Sequence, residues 1–330
     1  MVRHSGRGWC RKSGMKPGIV DIIKTLDKRG IVNSIVSKNN HDEAMAHLES
    51  LGIHEYFVFP KISWDPKGEA IKELIRDFNV NEDTFAFIDD SPFEREQVKA
   101  VAPKVRVFED HEYTSLLERA EFSPEVSSES SKRRYFYLTQ GERRKEESNF
   151  SGEYADFIRS CNIKLNISPA TDANIDRIHE LIQRTNQMNF SSTRYSREEI
   201  SEIVNSEDYD HYCLECSDKF GEYGIIGFCL VDKTKQQIID LMFSCRVQSK
   251  RVEHALLFFL MNKYREEGWE SLSARYIETD RNKAVCKVFD DLGYEKSHQG
   301  DNQYLFTLSL STSIKEDNLI DVIWNETAQV

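Results

Sequence analysis

The 330-residue sequence lacks the features that mark membrane, secreted and nucleic-acid-binding proteins. No apolar run approaches the roughly eighteen residues that a membrane-spanning helix needs. Residues 1–14 are basic but contain no apolar stretch, so they do not form a secretory signal. Basic residues are in deficit, since 44 Lys and Arg face 56 Asp and Glu, for a net charge of −12. A nucleic-acid surface needs clustered basic residues, so we expect neither a nucleic-acid partner nor a membrane.

The sequence also lacks a disulfide framework. Its seven cysteines follow no regular spacing, and their number is odd. Reduced thiols in a cytoplasmic protein are the simpler interpretation. Cys213 and Cys216 form a single Cys-x-x-Cys without a second pair. Along a strand these two thiols would point to opposite faces, so we interpret them as structural.

What is present indicates two domains. The chain is too long for one ordinary core, and its 39% hydrophobic and 30% charged residues are typical of a globular protein. Composition places a first domain at 1–121, a linker helix at 122–160, a second domain at 161–310 and a tail at 311–330. The linker is first Ser-rich and then highly charged, which is typical of a solvated helix face. The apolar run 319–324 packs back on the domain or binds a partner, and the sequence leaves both open.

Strand and helix signals alternate through the first domain. The predicted strands are 31–36, 56–59, 84–89 and 105–108, and the predicted helices are one that ends at Gly30 and those at 42–51, 68–78 and 94–101. This alternation predicts crossover connections and a parallel sheet. In such sheets ligands bind at the carboxyl ends of the strands.

Polar residues follow those strand ends. Ser37 and Asn39 come after the first strand, Asp89 and Asp90 after the third, and Lys67 lies at a helix N-terminus suited to an anion. Adjacent carboxylates repel each other unless a cation such as Mg²⁺ lies beside them. Each of these groups alone has a simpler interpretation. Ser37 and Asn39 also fit a loop with a helix cap, Asp89 and Asp90 a turn, and Lys67 a solvated side chain. Their order together predicts a site for phosphate and metal.

The second domain has a different order of predicted strands and helices. The predicted strands are 163–167, 209–216, 224–231, 237–245, 272–276 and 304–308, and the predicted helices are 175–185, 252–267 and one around 282–292. Three successive strands joined by short loops predict an antiparallel meander within an α+β domain.

Several motifs resemble known families. The runs IVSKNN, WDPK and FIDDSPFERE resemble the second to fourth motifs of the haloacid dehalogenase (HAD) superfamily, closest to its FkbH-like subfamily. The order of elements in the second domain, and the run NKAVCKVFDDLGYEK, resemble the GNAT acetyltransferase fold. The resemblance covers roughly residues 15–310. It implies an HAD-like α/β parallel-sheet domain followed by a GNAT-like α+β domain.

The HAD resemblance implies roles for individual residues. Ser37 and Lys67 would bind the transferred phosphoryl group, Asn39 would contact substrate, and Asp89 and Asp90 would hold Mg²⁺. The family begins with a strand ending in Asp-x-Asp-x-Thr, but nothing before Ser37 matches it and residues 1–14 contain no Asp. Without that carboxylate no aspartyl-phosphate can form. Either the protein starts further upstream or the domain is non-catalytic, so enzyme status stays open.

The run RTNQMNFSSTRYS at 184–196 resembles a substrate-pocket segment of FkbH-like proteins. Four of its residues are predicted to bind substrate: Arg184, Thr185, Asn186 and Gln187. The resemblance implies that Cys245 carries an acyl group as a thioester. Arg246 beside it is also predicted to bind substrate. This arginine and a helix close by predict a lowered pKa for the Cys245 thiol.

A cofactor position follows from the GNAT resemblance. Asn282 is predicted to face an acyl thioester or phosphopantetheine cofactor. The family carries glycines where the pyrophosphate meets a helix N-terminus, and residues 248–254 contain none. A cofactor of the usual kind is therefore in doubt at this position.

Together the resemblances imply a phosphatase and glyceryl transferase. It would take a small phosphorylated acyl substrate, 1,3-bisphosphoglycerate, and load an acyl carrier protein in polyketide, other secondary-metabolite or surface-polysaccharide biosynthesis. Two alternatives stay open. One is a plain HAD phosphatase, and the other is a non-catalytic binding module, which the missing nucleophile favours.

Overall fold

A computed structural model describes residues 16–124, 126, 130–311 and 317–326. The chain divides into two compact units, Met1–Arg144 and Lys145–Val330. The division falls inside helix α5 (Arg133–Asn149), within the segment predicted as linker. None of the described helices is long and apolar enough to cross a membrane.

The first unit alternates helices and short parallel strands. Its elements before α5 are α1 (Ile19–Lys28), β1 (Val36–Ser37), α2 (His41–Ser50), β2 (Lys61–Ile62), α3 (Lys67–Phe78), β3 (Ala86–Asp89), α4 (Pro92–Val101) and β4 (Arg106–Glu109). Strand β1 pairs in parallel with β2, and β3 pairs in parallel with β4. The described strands thus form two separate parallel pairs, and the α/β class predicted for this region is confirmed. Residues 1–15, which the missing-strand prediction concerns, lie outside the described part.

Helix α1 shows how the sequence produces these elements. Ile19, Ile23 and Leu26 recur at helical spacing and are buried. Gly30 follows the helix with a φ of 71°, a left-handed conformation that costs other residues energy. A Cβ at this position would also collide with the carbonyl oxygen of Ser130. Gly30 therefore ends the helix, as predicted.

The second predicted strand, 56–59, is wrong in position. The chain there forms a 3-10 turn, His54–Tyr56, and the strand β2 comes later. Phe59 adopts a φ of 51°, which interrupts an extended run. Only a single bridge, between Phe57 and Asn33, remains of the predicted pairing.

The second unit is a mixed eight-stranded sheet with helices on both faces. Its strands are β5 (Lys164–Pro169), β6 (Tyr209–Asp218), β7 (Gly221–Asp232), β8 (Gln237–Phe243), β9 (Ser271–Ile277), β10 (Glu295–Gly300), β11 (Gln303–Ser309) and β12 (Asp321–Trp324). Its further helices are α6 (Tyr154–Ser160), α7 (Asp172–Arg184), α8 (Arg197–Val204), α9 (Val252–Glu266) and α10 (Lys287–Asp291). The strand order is β10-β11-β9-β8-β7-β6-β5-β12.

Strands β6 to β8 form the predicted antiparallel meander. Strand β9 runs parallel to β8, and β11 lies between β9 and β10. Alternate residues of β6 face two different cores: Tyr212 and Cys216 pack with α9, whereas Cys213 packs with α7. Cys213 and Cys216 therefore point to opposite faces, as predicted.

Three elements differ from expectation. The helix predicted around 282–292 is limited to Lys287–Asp291. Strand β10, whose residues are all exposed, has no apolar alternation and was not predicted. The tail contributes β12, which pairs in parallel with β5, and Leu319 and Ile320 join the core. The apolar run of the tail thus packs on its own domain.

Candidate functional site

A buried ion pair lies at the carboxyl end of β3. Lys67 begins α3, and its Nζ lies 2.6 Å from Oδ2 of Asp89, with both side chains 2% exposed. The backbone N–H of Ser91 donates to the other Asp89 oxygen at 2.8 Å. Both oxygens of Asp89 are therefore bound within the chain. Asp90 follows it, half-buried, at the start of the loop to α4.

Ser37 ends β1 and is 2% exposed, yet its hydroxyl has no hydrogen-bond partner among the described residues. Lys38 reaches Oε1 of Glu94 at 2.7 Å, and the buried Oε2 of Glu94 has no hydrogen bond in the described part. A buried polar atom without a partner costs about 1–3 kcal/mol. We call the five residues Ser37, Lys38, Lys67, Asp89 and Glu94 the polar cluster.

Two members of this region were missed by sequence reasoning. Glu94 is the partner of Lys38, and Arg95 donates to the carbonyl oxygen of Asp89 at 2.9 Å. Ser91 caps α4 and accepts from the N–H of Glu94. The Ser-x-x-Glu spacing of a helix start was the available signal for Glu94.

Asn39 lies beside the cluster in a capping loop. Its side chain accepts from the N–H of Asn40 at 2.8 Å, and Asn40 in turn caps α2. The helix-cap interpretation therefore holds for this loop. A substrate contact by Asn39 stays a prediction.

The donor set fits Mg²⁺ only together with a phosphate. Among the described residues, no three His, Cys, Asp or Glu side chains form a cluster that could hold a metal. Mg²⁺ is commonly held by one or two carboxylates plus substrate phosphates and water, and Asp89 and Asp90 could supply that pair. Lys38 is paired with Glu94 and Lys67 with Asp89, so the five residues of the polar cluster carry no net charge. Asp90 adds a negative charge, and the Arg95 guanidinium, which donates to the Asp89 carbonyl oxygen, adds a positive one. A phosphate dianion would add negative charge, and a divalent cation would offset it.

In the second unit the structure brings Cys245 and Gln187 together. The Sγ of Cys245 lies 3.9 Å from Oε1 of Gln187. Burial raises the pKa of the Cys245 thiol, so the predicted lowering is wrong. The reason is geometric: the Arg246 side chain bonds Ser244 Oγ at 3.1 Å, and α9 does not begin until Val252.

The first residues of the 184–196 segment are held by the chain itself. Arg184 pairs with Glu180 at 3.0 Å. The Arg194 guanidinium donates at 2.8 Å both to the carbonyl oxygen of Thr185 and to Oδ1 of Asn186. Of the four predicted substrate residues, Gln187 is the one placed against the Cys245 thiol.

Residues 188–190 lie between β8 and β9, and Asn189 forms an isolated antiparallel bridge with Met242 of β8. These strands pair only at Gln237 and Ile238 and then diverge. On the β8 side, Phe190 N donates to Leu241 O at 2.9 Å. Phe243 N on the same strand donates to Met188 O, also at 2.9 Å. On the β9 side, the N–H of residue 277 donates to the carbonyl of residue 190 at 2.9 Å. The stretch therefore bridges both strands.

Asn282 anchors this stretch. It is fully buried, and its Nδ2 donates to the carbonyl oxygens of Asn189 at 2.8 Å and Ile277 at 2.9 Å. Its Oδ1 accepts from the N–H of Thr279 at 2.7 Å. These bonds hold residues 279–286 in turns and explain why the predicted helix starts late. The cofactor contact predicted for Asn282 stays a prediction.

Asp240 is a second anchor, which sequence reasoning missed. It is fully buried on β8, and Ser191 Oγ donates to its Oδ1 at 2.7 Å. Burial raises the pKa of Asp240 to about 6, against hydrogen bonds from Ser191 and the Leu241 backbone that lower it. Burial and Asp240 also raise the pKa of Tyr195. The available signal was a lone carboxylate in the apolar run QIIDLMF.

The loop before α9 keeps a glycine-like conformation without glycine. Ser249 and Arg251 have φ values of 64° and 62°. Arg251 is paired with Asp317 at 2.6 Å. Glu253 places a carboxylate in the first turn of α9, where a pyrophosphate would bind.

Comparison with known proteins finds a family match for part of the chain. The sequence profile of the haloacid dehalogenase-like hydrolases matches residues 9–107. Among curated proteins, no sequence matches significantly. Similar solved structures include a domain from Methanocaldococcus jannaschii DSM 2661, at 16% identity and a TM-score of 0.37 over 44% of this chain and 99% of that one.

Two acetyltransferase structures are also similar. The ribosomal-protein-S18-alanine N-acetyltransferase from Escherichia coli has 13% identity and a TM-score of 0.35, over 47% of this chain and 97% of that one. The GNAT domain of S. lividans PAT has 16% identity and a TM-score of 0.35, over 43% and 89%. Likeness at these TM-scores supports no conclusion about activity. The profile match indicates a haloacid dehalogenase-like α/β region, and the sheet topology shows that a mixed α+β domain follows it. The GNAT-like and FkbH-like assignments stay predictions.

Proposed function

We propose that the chain transfers a three-carbon glyceryl group from a phosphorylated donor, 1,3-bisphosphoglycerate, to the thiol of an acyl carrier protein. Such loading would serve polyketide, other secondary-metabolite or surface-polysaccharide biosynthesis. The observation that carries the proposal is the contact between Cys245 and Gln187, 3.9 Å apart. These residues lie 58 positions apart in the sequence and were predicted separately, one as acyl carrier and one as substrate contact.

The transfer has three balanced steps. Water hydrolyses the C3 phosphate ester of the donor, which releases the first phosphate. The Cys245 sulfur attacks the acyl carbon C1, the bond from C1 to its phosphate oxygen breaks, and the second phosphate leaves with the thiol proton. A carrier thiol then attacks the thioester, and the Cys245 sulfur leaves with the proton of that thiol. Because burial raises the pKa of the Cys245 thiol, the proton must leave as the sulfur attacks. Gln187 can accept a hydrogen bond from that thiol and orient it.

In the first unit, Ser37 and Lys67 would bind the phosphoryl group, and Asp89 and Asp90 would hold Mg²⁺. The buried Ser37 hydroxyl without a partner supports this role, because a bound phosphate oxygen would satisfy it. Bound Mg²⁺ would neutralise phosphate charge. Lys38 offers a second ammonium, which is paired with Glu94.

The test is capture of the acyl group. The chain is incubated with 1,3-bisphosphoglycerate made in place, and cysteine peptides are analysed by mass spectrometry. We expect a three-carbon adduct on Cys245 that Cys245→Ala abolishes. Cys286→Ala is the matched control, because Cys286 is also partly exposed and burial raises its thiol pKa. An adduct of full yield in Cys245→Ala would refute the proposal, and phosphate release without an adduct would indicate a plain phosphatase.

A second candidate is a phosphate-binding module without turnover. Asp89 favours it, since both carboxylate oxygens are bound by Lys67 and Ser91 rather than turned outward. This candidate predicts binding of phosphate and Mg²⁺ but no phosphate release at any pH. Measured release would reject it.

A further inference from the structure

The predicted GNAT-like fold implies a nucleotide-bearing acyl thioester, coenzyme A, as a cofactor. Two places in the second unit would have to accommodate this cofactor: the opening between β8 and β9, and the loop before α9.

The opening between β8 and β9 would suit an extended ligand. Parallel strands that diverge leave backbone N–H and C=O groups without strand partners, and an extended chain can pair with them. Here residues 188–190 take that position. They bond Leu241 and Phe243 on one side and Ile277 on the other, each at 2.9 Å.

Two buried side chains fix this stretch in place. Asn282 donates to the Asn189 carbonyl at 2.8 Å, and Asp240 accepts from Ser191 at 2.7 Å. All four of these residues are at most 1% exposed. Buried polar groups are costly to unpair, so the stretch cannot leave without losing both anchors.

The loop before α9 does not fit a pyrophosphate either. Arg251 has the left-handed backbone that glycine favours, but its guanidinium is paired with Asp317. Glu253 adds a negative charge in the first helical turn, where the helix dipole would otherwise attract an anion. A pyrophosphate bound there would add its negative charge to that of Glu253.

We infer that residues 188–190 are a built-in occupant of the opening between β8 and β9, held by Asp240 and Asn282, and that this unit does not bind coenzyme A. Gln187 immediately precedes this stretch, which therefore fixes the position of that residue against Cys245. Exclusion of coenzyme A from this unit does not depend on the transfer chemistry proposed above.

Binding and hydrogen exchange test it in the full-length chain. Calorimetric titration with acetyl-coenzyme A should show no saturable binding at millimolar concentration. Hydrogen exchange in peptides covering 186–192 should be as slow as in β7, with or without this ligand. Binding by the wild type, or rapid exchange that the ligand slows, would overturn the inference.

A variant separates the occupied opening from the altered loop. Arg251→Gly combined with Glu253→Gly restores glycine and removes the charge, and the occupied opening should still exclude acetyl-coenzyme A. Gain of binding by this variant, with residues 186–192 still slow to exchange, would show that the stretch is no obstacle. Asn282→Ala should speed exchange in that peptide specifically, and unchanged exchange would refute its anchoring role. If Asn282→Ala does not fold, the wild-type measurements still decide.

Discussion

The polar cluster of the first unit and the 184–196 segment of the second each contain a buried serine, but the two serines differ in their partners. Ser37 makes no side-chain hydrogen bond among the described residues, whereas Ser191 donates to Asp240. Both regions also hold buried polar atoms without a hydrogen bond in the described part: one Glu94 oxygen in the cluster, and Nδ2 of Asn189 and Oδ2 of Asp240 at the segment. The contrast between the two serines predicts which substitution alters ligand binding and which alters stability.

The largest effect is expected at the buried pair of the cluster. Lys67→Met leaves the Asp89 carboxylate buried without its cation, which should lower the free energy of unfolding by about 3–5 kcal/mol. Urea denaturation measures the loss. Lys67→Met combined with Asp89→Asn should recover part of it, because no lone charge remains. A loss below about 1 kcal/mol in the single variant would mean that the pair is not buried as described.

The next effect concerns Asp240 and pH. Its folded-state pKa of about 6 lies above the ordinary value of 3.8, so the folded state binds the proton more tightly than the unfolded state. The stabilisation is fully present below about pH 4 and is lost as the pH rises through 6, a change of about 3 kcal/mol. Asp240→Asn stays neutral and should remove this pH dependence, making the variant more stable than wild type at pH 8.

The control for that experiment is Asp232→Asn on the same sheet. Hydrogen bonds from Lys235 and Thr234 lower the pKa of Asp232 to about 2 against the effect of burial, so the sign reverses. Its stabilisation is present above pH 4 and is lost as the pH falls towards 2. This variant should therefore be less stable than wild type at pH 8. Equal pH profiles for the two variants would contradict the account.

The smallest expected effects are the changes in the free energy of unfolding when two buried serines, Ser191 and Ser37, are replaced. Ser191→Ala removes the donor to Asp240 and should cost about 1–3 kcal/mol, because a buried carboxylate oxygen loses its partner. Ser37→Ala removes a hydroxyl that bonds nothing described, and should change the free energy of unfolding by less than about 0.5 kcal/mol. Both can be measured by urea denaturation at pH 8. Equal costs would remove the distinction between the two regions.

Much of this fold could be predicted from local pattern. Helix α1 follows its apolar stripe and ends at Gly30, and the meander follows from three apolar strands with short loops. The errors occur where non-local or backbone constraints dominate. The left-handed Phe59 displaces a strand, and the tail forms β12 only because β5 offers an edge. Neither constraint leaves a periodic signal in the sequence.

The candidate site was predictable where residues follow strand ends. Lys67 begins α3, just after β2, and Asp89 ends β3, and their side chains meet although β2 and β3 belong to separate strand pairs. The raised pKa of the Cys245 thiol was not predictable, since it depends on how deeply the thiol is buried and on where the Arg246 side chain points. The anchoring role of Asn282 depends on contacts 93 residues away in sequence. Such contacts require the folded chain.

The most direct measurement is calorimetric titration of inorganic phosphate with and without Mg²⁺, for wild type and Ser37→Ala. The account predicts that phosphate binds with Mg²⁺ present and more weakly without it. Loss of the Ser37 hydrogen bond to a charged oxygen should weaken binding by roughly 10-fold or more. Equal phosphate affinity in the two proteins, or no phosphate binding with Mg²⁺ present, would contradict the claim that the cluster is a phosphate site.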